Sequence, residues 1–348
     1  MGRDTRKPPN SYDVARAAGV SRSTVSRALG GGANVSPEVR DRVVRAADTL
    51  GYRVNALARG LQTRQSDLVG VVASRLDTPF RATQVRAIAQ TLLQRQMHPL
   101  LLVADGGEDV DALIKNLLGY SLAGVIVTSD SPPAEVIEAC HRLSVPVVLV
   151  NRGPGDVDAD RVAMDVDLGG QIAFDTLLDA GARKLALVTP RAGTYSVAGR
   201  AEAFLRNAEA AITEVLIIET QGQSYTAGAA VAGDVAARAD EIDGVFCTTD
   251  LLALGLLDRL RTDHGVRVPE DVQIVGFDDI EQAGWDAYRL STVRQDVVAQ
   301  ATGAVDLVAD RLSEPTAPFR SLVYPLAPVL RETTHAPNRR IAVAAAKG

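Results

Sequence analysis

Two sets of residues in this 348-residue chain have types and spacings suited to recognition chemistry. The first is Arg22, Ser23, Ser26 and Arg27, within SRSTVSRAL. At helical spacing they share the face opposite Val25, Ala28 and Leu29. Short hydroxyls beside two long cations are what a helix lying in a DNA major groove presents, and Arg22, Ser23 and Thr24 stand at its leading end. The plainer alternative is a solvated face on an ordinary small helical domain. The second set is dispersed: Ser74, Asn151, Thr249, Asp250, Asp278 and Asp279 each follow an apolar run, and Arg200 opens a helix after KLALVT. Ligands in open parallel sheets bind beyond the carboxyl ends of the strands. A carboxylate, an amide and a guanidinium at one mouth suit a small polyol, whose vicinal hydroxyls take paired hydrogen bonds. A structural role is also open to two of these: Asp250 precedes a helix and could cap it, and Asp279 could serve the fold alone.

The elements that position the first set are local. Tyr12 to Ala18 places Val14, Ala15 and Ala18 on one helical face. Gly19 supplies an open backbone geometry for a tight turn, Val20 can plug the angle, and Ser21 is a good N-cap for the helix that follows. Ser36-Pro37-Glu38 opens a third helix with inner stripe Val39, Val43, Ala46, Ala47 and Leu50, and Gly51 is placed to end it. Residues 1–10 read as a frayed arm and GGGAN as a loop. No strand precedes those glycines and no Gly-Lys-Ser/Thr follows, so they are not a phosphate cradle.

From Leu68 the pattern alternates between strand and helix. LVGVVAS, PLLLVA, AGVIVT and PVVLVN read as strands, separated by helices around Ala82–Gln96, Val110–Gly119 and Ala134–Leu143. A second series follows Asp165: helix Leu168–Ala180, strand KLALVT, helix Ala198–Ala211, strand EVLIIE, helix Thr226–Ala239, strand GVFCT, helix Leu251–Asp263 and strand VQIVGF. Two such series predict two similar parallel-sheet lobes, each covered on both faces.

The stretch SYDVARAAGVSRSTVSRAL resembles the helix-turn-helix of the lactose-repressor (LacI/GalR) family of bacterial transcription regulators. The resemblance continues through NVSPEVRDRVVRAADTLGYRVNALARGLQ and, more loosely, most of the remaining chain. It implies a small all-α helix-turn-helix headpiece at 9–64, with a hinge at about 54–63. An α/β two-lobed domain of periplasmic-binding-protein type would follow at 65–340, the chain crossing between lobes three times. Its first lobe would comprise about 65–164 and 291–326, its second about 165–290 and 327–340. In the returning helix Val297, Val298, Ala301, Val305, Val308 and Leu312 are expected inward.

By the same resemblance the DNA-facing set is Tyr12, Ser21, Arg22, Ser23, Thr24, Ser26, Arg27, Asn34 and Ser36, with Asn55, Ala58 and Leu61 from the hinge. Leu61 would wedge into the minor groove, the hinge becoming helical only on DNA. Val54 stands where the family usually has proline. The effector-facing set is Ser74, Phe80, Asn151, Arg200, Thr249, Asp250 and Asp278. Thr249 departs from the asparagine frequent in sugar-binding members, and AEAF lacks the usual glycine before its aromatic residue. NAEAAITEVLIIE is short between helix and strand, which leaves the second lobe open to trimming there. The expected partners are a near-palindromic operator in double-stranded DNA, a small effector such as a sugar, and a second copy of the chain. No leucine heptad tail suggests a tetramer.

Charge and composition agree with this. Residues 1–64 hold 12 Arg/Lys against 5 Asp/Glu, and the remainder 25 against 38. A basic head on an acidic body fits a phosphate-binding module joined to a regulatory domain. Cys140 and Cys247 read as buried thiols. Enzyme signatures are missing: no Gly-x-Gly-x-x-Gly follows a strand, no serine sits in a nucleophile elbow, and His98, His141, His264 and His335 are scattered. No cofactor or metal is expected. With no signal peptide and no long apolar run, a cytoplasmic repressor is the expected protein. An activator of the same architecture, or a solute-binding protein of transport, are the alternatives.

Overall fold

The computed structural model of the chain describes residues 9–30, 35–53, 66–103, 119–128, 134–153 and 157–336. The chain divides into two compact units, residues 1–66 and 67–348. The expected positions of Asn34, Asn55, Ala58 and Leu61, most of the helix expected at Val110–Gly119, and the tail from 337 lie outside the described residues.

The first unit is three helices. Helix α1 (Ser11–Ala18) starts from Asn10, whose side chain accepts the Tyr12 amide at 2.8 Å while its own amide donates to Asp13 at 3.0 Å. Asn10, expected in a frayed arm, is therefore a helix cap. Gly19, at φ 63°, closes α1. Ser21 caps α2 (Arg22–Leu29) by accepting the Thr24 amide at 3.2 Å. In α3 (Pro37–Leu50) Ser36 caps the start, Pro37 occupies the first turn and Gly51 ends the helix at φ 69°. Val14, Ala15, Ala18, Val25, Ala28, Val43 and Ala47 are buried together, with Val20, Leu29, Val39 and Ala46 packed at the margin. Leu50, expected on the inner stripe, is exposed. It lies in the last turn of α3, beyond this small cluster.

The second unit opens with β1 (Leu68–Ala73), α4 (Pro79–Gln94), β2 (His98–Val103), β3 (Gly124–Val127), α5 (Ala134–Arg142), β4 (Val147–Val150) and β5 (Asp160–Met164). There follow α6 (Val166–Asp179), β6 (Leu185–Pro190), α7 (Tyr195–Ala210), β7 (Val215–Thr220), α8 (Tyr225–Ala230), α9 (Ala232–Ala236), β8 (Gly244–Cys247), α10 (Asp250–Asp263) and β9 (Gln273–Asp278). The last elements are β10 (Ser291–Gln295), α11 (Val297–Ser313), β11 (Ser321–Tyr324) and β12 (Leu326–Val329).

These strands make two sheets, each the centre of a lobe. The first runs β11-β5-β4-β3-β1-β2, all parallel. The second runs β12-β10-β9-β8-β6-β7, parallel except for β12 against β10. The fully buried strands are continuous apolar runs, as sheets covered on both faces require. The chain passes between the sheets after Met164, after Gln295 and after Tyr324.

Three expectations change. Residues 291–295, expected in the first lobe, form β10, which pairs with β9 and β12 in the second sheet, so the return begins only at α11. Its inward residues Ser291, Thr292 and Gln295 are polar and bond to neighbouring strands and loops, which hides the strand from a search for apolar runs. The helix expected at Thr226–Ala239 is two short helices meeting at Val231. In α11, Ala301, Val305 and Val308 are buried as expected and Val297 partly so, but Val298 and Leu312 are exposed. The buried face instead includes Gln300, Gly303, Ala304 and Leu307, because α11 packs its small residues against β11, where a Cβ on Gly303 would meet the Tyr324 hydroxyl at 2.2 Å.

In the second lobe Phe174, Phe204, Phe246 and Phe277 form a chain of ring contacts with centroids 5.0–6.5 Å apart. Cys140 and Cys247 are buried free thiols, and burial pushes Cys140 up to about 11 and Cys247 upward as well.

Candidate DNA interface and ligand cleft

On α2 the side chains of Ser21, Arg22, Ser23, Ser26 and Arg27 are exposed and Thr24 half-buried. Ser21 Oγ lies 2.8 Å from Ser23 Oγ and 2.9 Å from Thr24 Oγ1, so the cap also ties its neighbours together. Arg22 donates to the Tyr12 hydroxyl at 3.0 Å, and its guanidinium carbon lies 4.9 Å from the Tyr12 ring centroid. Tyr12 thus holds Arg22 by both a hydrogen bond and its ring face, which preorganises the cation. Arg27 donates to the Ser23 carbonyl at 3.3 Å. Ser36 Oγ donates to Glu38 and caps α3.

The second unit has a cleft between its two sheets, partly open to solvent. Phe80, Asn151, Arg200, Thr249 and Asp278 line it. Arg200 is almost wholly buried and donates to the Ser196 carbonyl at 3.1 Å, the Thr248 carbonyl at 2.9 Å and Asp278 Oδ1 at 3.2 Å. Its guanidinium carbon lies 3.7 Å from the Phe277 ring centroid, at the end of the phenylalanine chain. Asp278 Oδ1 also accepts from Gln295 Nε2 at 2.6 Å. Burial raises the Asp278 carboxyl and lowers the Arg200 guanidinium, and each one's charge offsets part of the other's shift. Thr249 is the N-cap of α10, accepting the Leu252 amide at 3.4 Å, and still faces the cleft. Asn151 follows β4 at φ 57°.

Two expected members are elsewhere. Asp250 is fully buried behind Thr249, where its carboxylate accepts from the Ile280 amide at 2.9 Å and the Thr292 hydroxyl at 2.6 Å. It fastens β10 and the chain after β9 to α10 and does not line the cleft. Burial, with Asp278 nearby, pushes it up to about 7. Ser74 is half-buried after β1 and does not line the cleft. Asp279 bonds Arg294 and Arg331 at 2.6 Å each, a link between strands and tail.

Arg75, Arg81 and Gln223 also line the cleft and were not expected. Arg75 donates to Gln223 at 3.1 Å, from the end of β1 to the turn after β7, so the pair bridges the lobes. The strand-end rule that singled out Ser74 applies equally to its neighbour Arg75. Arg81 donates to Gln84 at 2.7 Å and helps hold the Asp278 carboxyl down. Among the described residues no group of His, Cys, Asp and Glu is arranged to hold a metal, and no described helix is long and apolar enough to cross a membrane.

A helix-turn-helix unit joined to a two-lobed, cleft-bearing α/β unit defines a ligand-responsive DNA-binding regulator, and the chain belongs to the lacI family of bacterial regulatory proteins. The pattern described as "Bacterial regulatory proteins, lacI family" matches residues 12–55, and "Periplasmic binding protein-like domain" matches 174–334. The HTH-type transcriptional regulator CelR of Thermobifida fusca is 32% identical over 332 residues, covering 91% of this chain and 96% of CelR. The ribose operon repressor of Haemophilus influenzae is 29% identical over 329 residues, 93% of this chain and 98% of that protein. Among solved structures, a transcriptional regulator CelR–cellobiose complex aligns with TM-score 0.69 at 29% identity, over 93% of this chain and 99% of that one. A lac repressor dimer bound to operator and the anti-inducer ONPF shares the fold, with TM-score 0.84 at 24% identity, over 95% and 100%. The protein is thus a DNA-binding transcriptional regulator, and two of these relatives, the ribose operon repressor and the HTH-type transcriptional repressor PurR of Vibrio atlanticus (29% identical over 308 residues), are named as repressors.

Proposed function

We propose that the protein is a cytoplasmic, homodimeric repressor whose hold on a near-palindromic operator is set by a small polar effector, a sugar or related metabolite, in the inter-lobe cleft. The observation that carries this is the buried Arg200–Asp278 pair, opening with Thr249 and Asn151 onto one cavity that Phe80 borders with an apolar ring. Vicinal hydroxyls match such a carboxylate and guanidinium, and the aromatic face suits the apolar side of a sugar ring. The solved relative named with cellobiose supports the ligand class. Arg22, Ser23 and Thr24 would read base edges, and Tyr12, Arg27 and Ser36 would hold the backbone. Two copies reading two half-sites explain how so small a helical unit gains specificity. Because both lobes contribute to the cleft, an effector with different affinity for its open and closed forms shifts the regulator between DNA-binding states, typically by 1–3 kcal/mol of coupling.

Thermal-shift screening of the full chain against sugars, nucleosides and purines tests the cleft. A ligand at about 100 times its Kd should stabilise the second unit by about 2.7 kcal/mol. The same compound must then change operator affinity in a fluorescence-anisotropy titration. A compound that raises Tm equally in Asp278→Asn and the parent protein would place the ligand elsewhere.

A further inference from the structure

A line of buried side chains runs from the cleft wall of one lobe to that of the other. Asn151, after β4, donates through Nδ2 to Gln300 Oε1 at 3.4 Å. Gln300, in the first turns of α11, donates through Nε2 to Gln295 Oε1 at 3.4 Å. Gln295, at the end of β10, donates through Nε2 to Asp278 Oδ1 at 2.6 Å. That same oxygen accepts from Arg200. All three amide residues are over nine-tenths buried, and the Gln300–Gln295 link spans the second passage between the lobes.

The direction of this line is dictated from one end. Arginine only donates, and Asp278 Oδ1 only accepts here. Gln295 must therefore turn its NH2 toward Asp278, which leaves its carbonyl for Gln300. Gln300 must in turn give its NH2 to Gln295 and its carbonyl to Asn151. Asn151 is left with Nδ2 committed and Oδ1 free to serve the other side. That Oδ1 is buried with no hydrogen-bond partner, in a residue that lines the cleft. An unpartnered buried carbonyl is costly, and a ligand group able to donate to it removes the cost.

We propose that Gln300 is a specificity-determining positioning residue: it fixes Asn151 as an acceptor, so that the cleft selects an effector with a hydroxyl or amino donor against the first lobe. The inference rests on the cleft being the effector site. An apolar residue at 300 would fill similar space and leave the Asn151 amide free to rotate and offer either end.

The test uses the full chain and two arms. In the first, D-ribose and cellobiose are titrated calorimetrically, followed by monodeoxyfluoro analogues of whichever binds. Fluorine occupies the hydroxyl's place without its hydrogen. At one position the fluoro analogue should bind the parent protein at least about tenfold more weakly. In Gln300→Leu that penalty should fall below about threefold, because Nδ2 can now face the fluorine. An equal penalty in both proteins overturns the inference. The second arm needs no sugar: Asn151→Ala, Gln300→Leu and the double variant are unfolded in urea. The line predicts coupling of roughly threefold or more in the unfolding constant, and additive effects overturn it. Coupling together with failure of both sugars to bind upholds the orientation of Asn151 and retires the sugar reading of the cleft instead.

Discussion

Asp250 offers a sharp test of how the second lobe is held together. It is fully buried at the start of α10, with one oxygen on the Ile280 amide and the other on the Thr292 hydroxyl. Asp250 Oδ1 packs directly against Gly276, where a Cβ would come within 2.2 Å of it. Its carboxyl titrates near 7 in the folded chain against 3.8 unfolded, chiefly through burial. Between those values the unfolded chain releases a proton that the folded chain keeps. The contribution to stability is therefore full below about pH 4 and is lost as pH rises through 7. Integrated from pH 5 to pH 8, the loss is about 2–3 kcal/mol. In Asp250→Asn the carbonyl can accept from Ile280 while the NH2 donates to Thr292, so both bonds survive without a charge. Urea unfolding followed by the fluorescence of Trp285, the single tryptophan, measures both proteins from pH 5 to 8. The asparagine variant should lose this share of the pH slope and match or exceed the parent at pH 8. Asp278 shifts in the same direction, so some slope remains. Parallel profiles for the two proteins would refute the argument.

Three further outcomes are expected. Arg22→Ala should cost about 1–3 kcal/mol on the cognate operator and relax preference at one base pair in anisotropy titrations; a uniform loss on all DNA would assign Arg22 to phosphate alone. Arg200→Ala should destabilise the second unit by about 3–5 kcal/mol in urea, because Asp278 is left buried without its cation, and should abolish any effector response; parent-like stability would mean the pair is not integral to the lobe. Gly170→Ala puts a Cβ 2.4 Å from the Ala203 Cβ and 2.7 Å from the Arg200 carbonyl. It should cost about 1–3 kcal/mol by overpacking α6 against α7 and lower Tm, and an unchanged Tm would show that the two helices can part freely.

The three-helix unit was legible because its signals are local: Ser21, Gly19 and Gly51 act within a few residues of where they stand. The two sheets were legible in their central strands, where burial on both faces demands unbroken apolar runs. Strands with polar inward residues were not: β10 buries Ser291, Thr292 and Gln295. In the cleft, the strand-end rule brought Asn151, Thr249 and Asp278 to one cavity, but it cannot say which way a side chain turns. Thr249 faces the cavity while its neighbour Asp250 faces inward, because the first turn of α10 sends successive residues in different directions. Arg81, Gln295 and Gln300 had no local signal, since their roles depend on partners from distant parts of the chain.

The order of the strands has a consequence for synthesis. The edge strand β11 and the covering helix α11 belong to the first lobe but are encoded after nearly all of the second. While the chain emerges from the ribosome, β5 pairs with β4 but waits for β11 on its other side, and Val69, Val71 and Val162 wait for the apolar face of α11. The α1–α3 cluster draws only on residues up to Tyr52 and can form long before. A nascent chain, or one cut short anywhere between residues 165 and 296, therefore carries the complete helix-turn-helix unit without the finished first lobe. Premature termination would yield fragments of this kind, and their danger to the cell lies in the exposed first sheet, a surface for aggregation and a target for proteases.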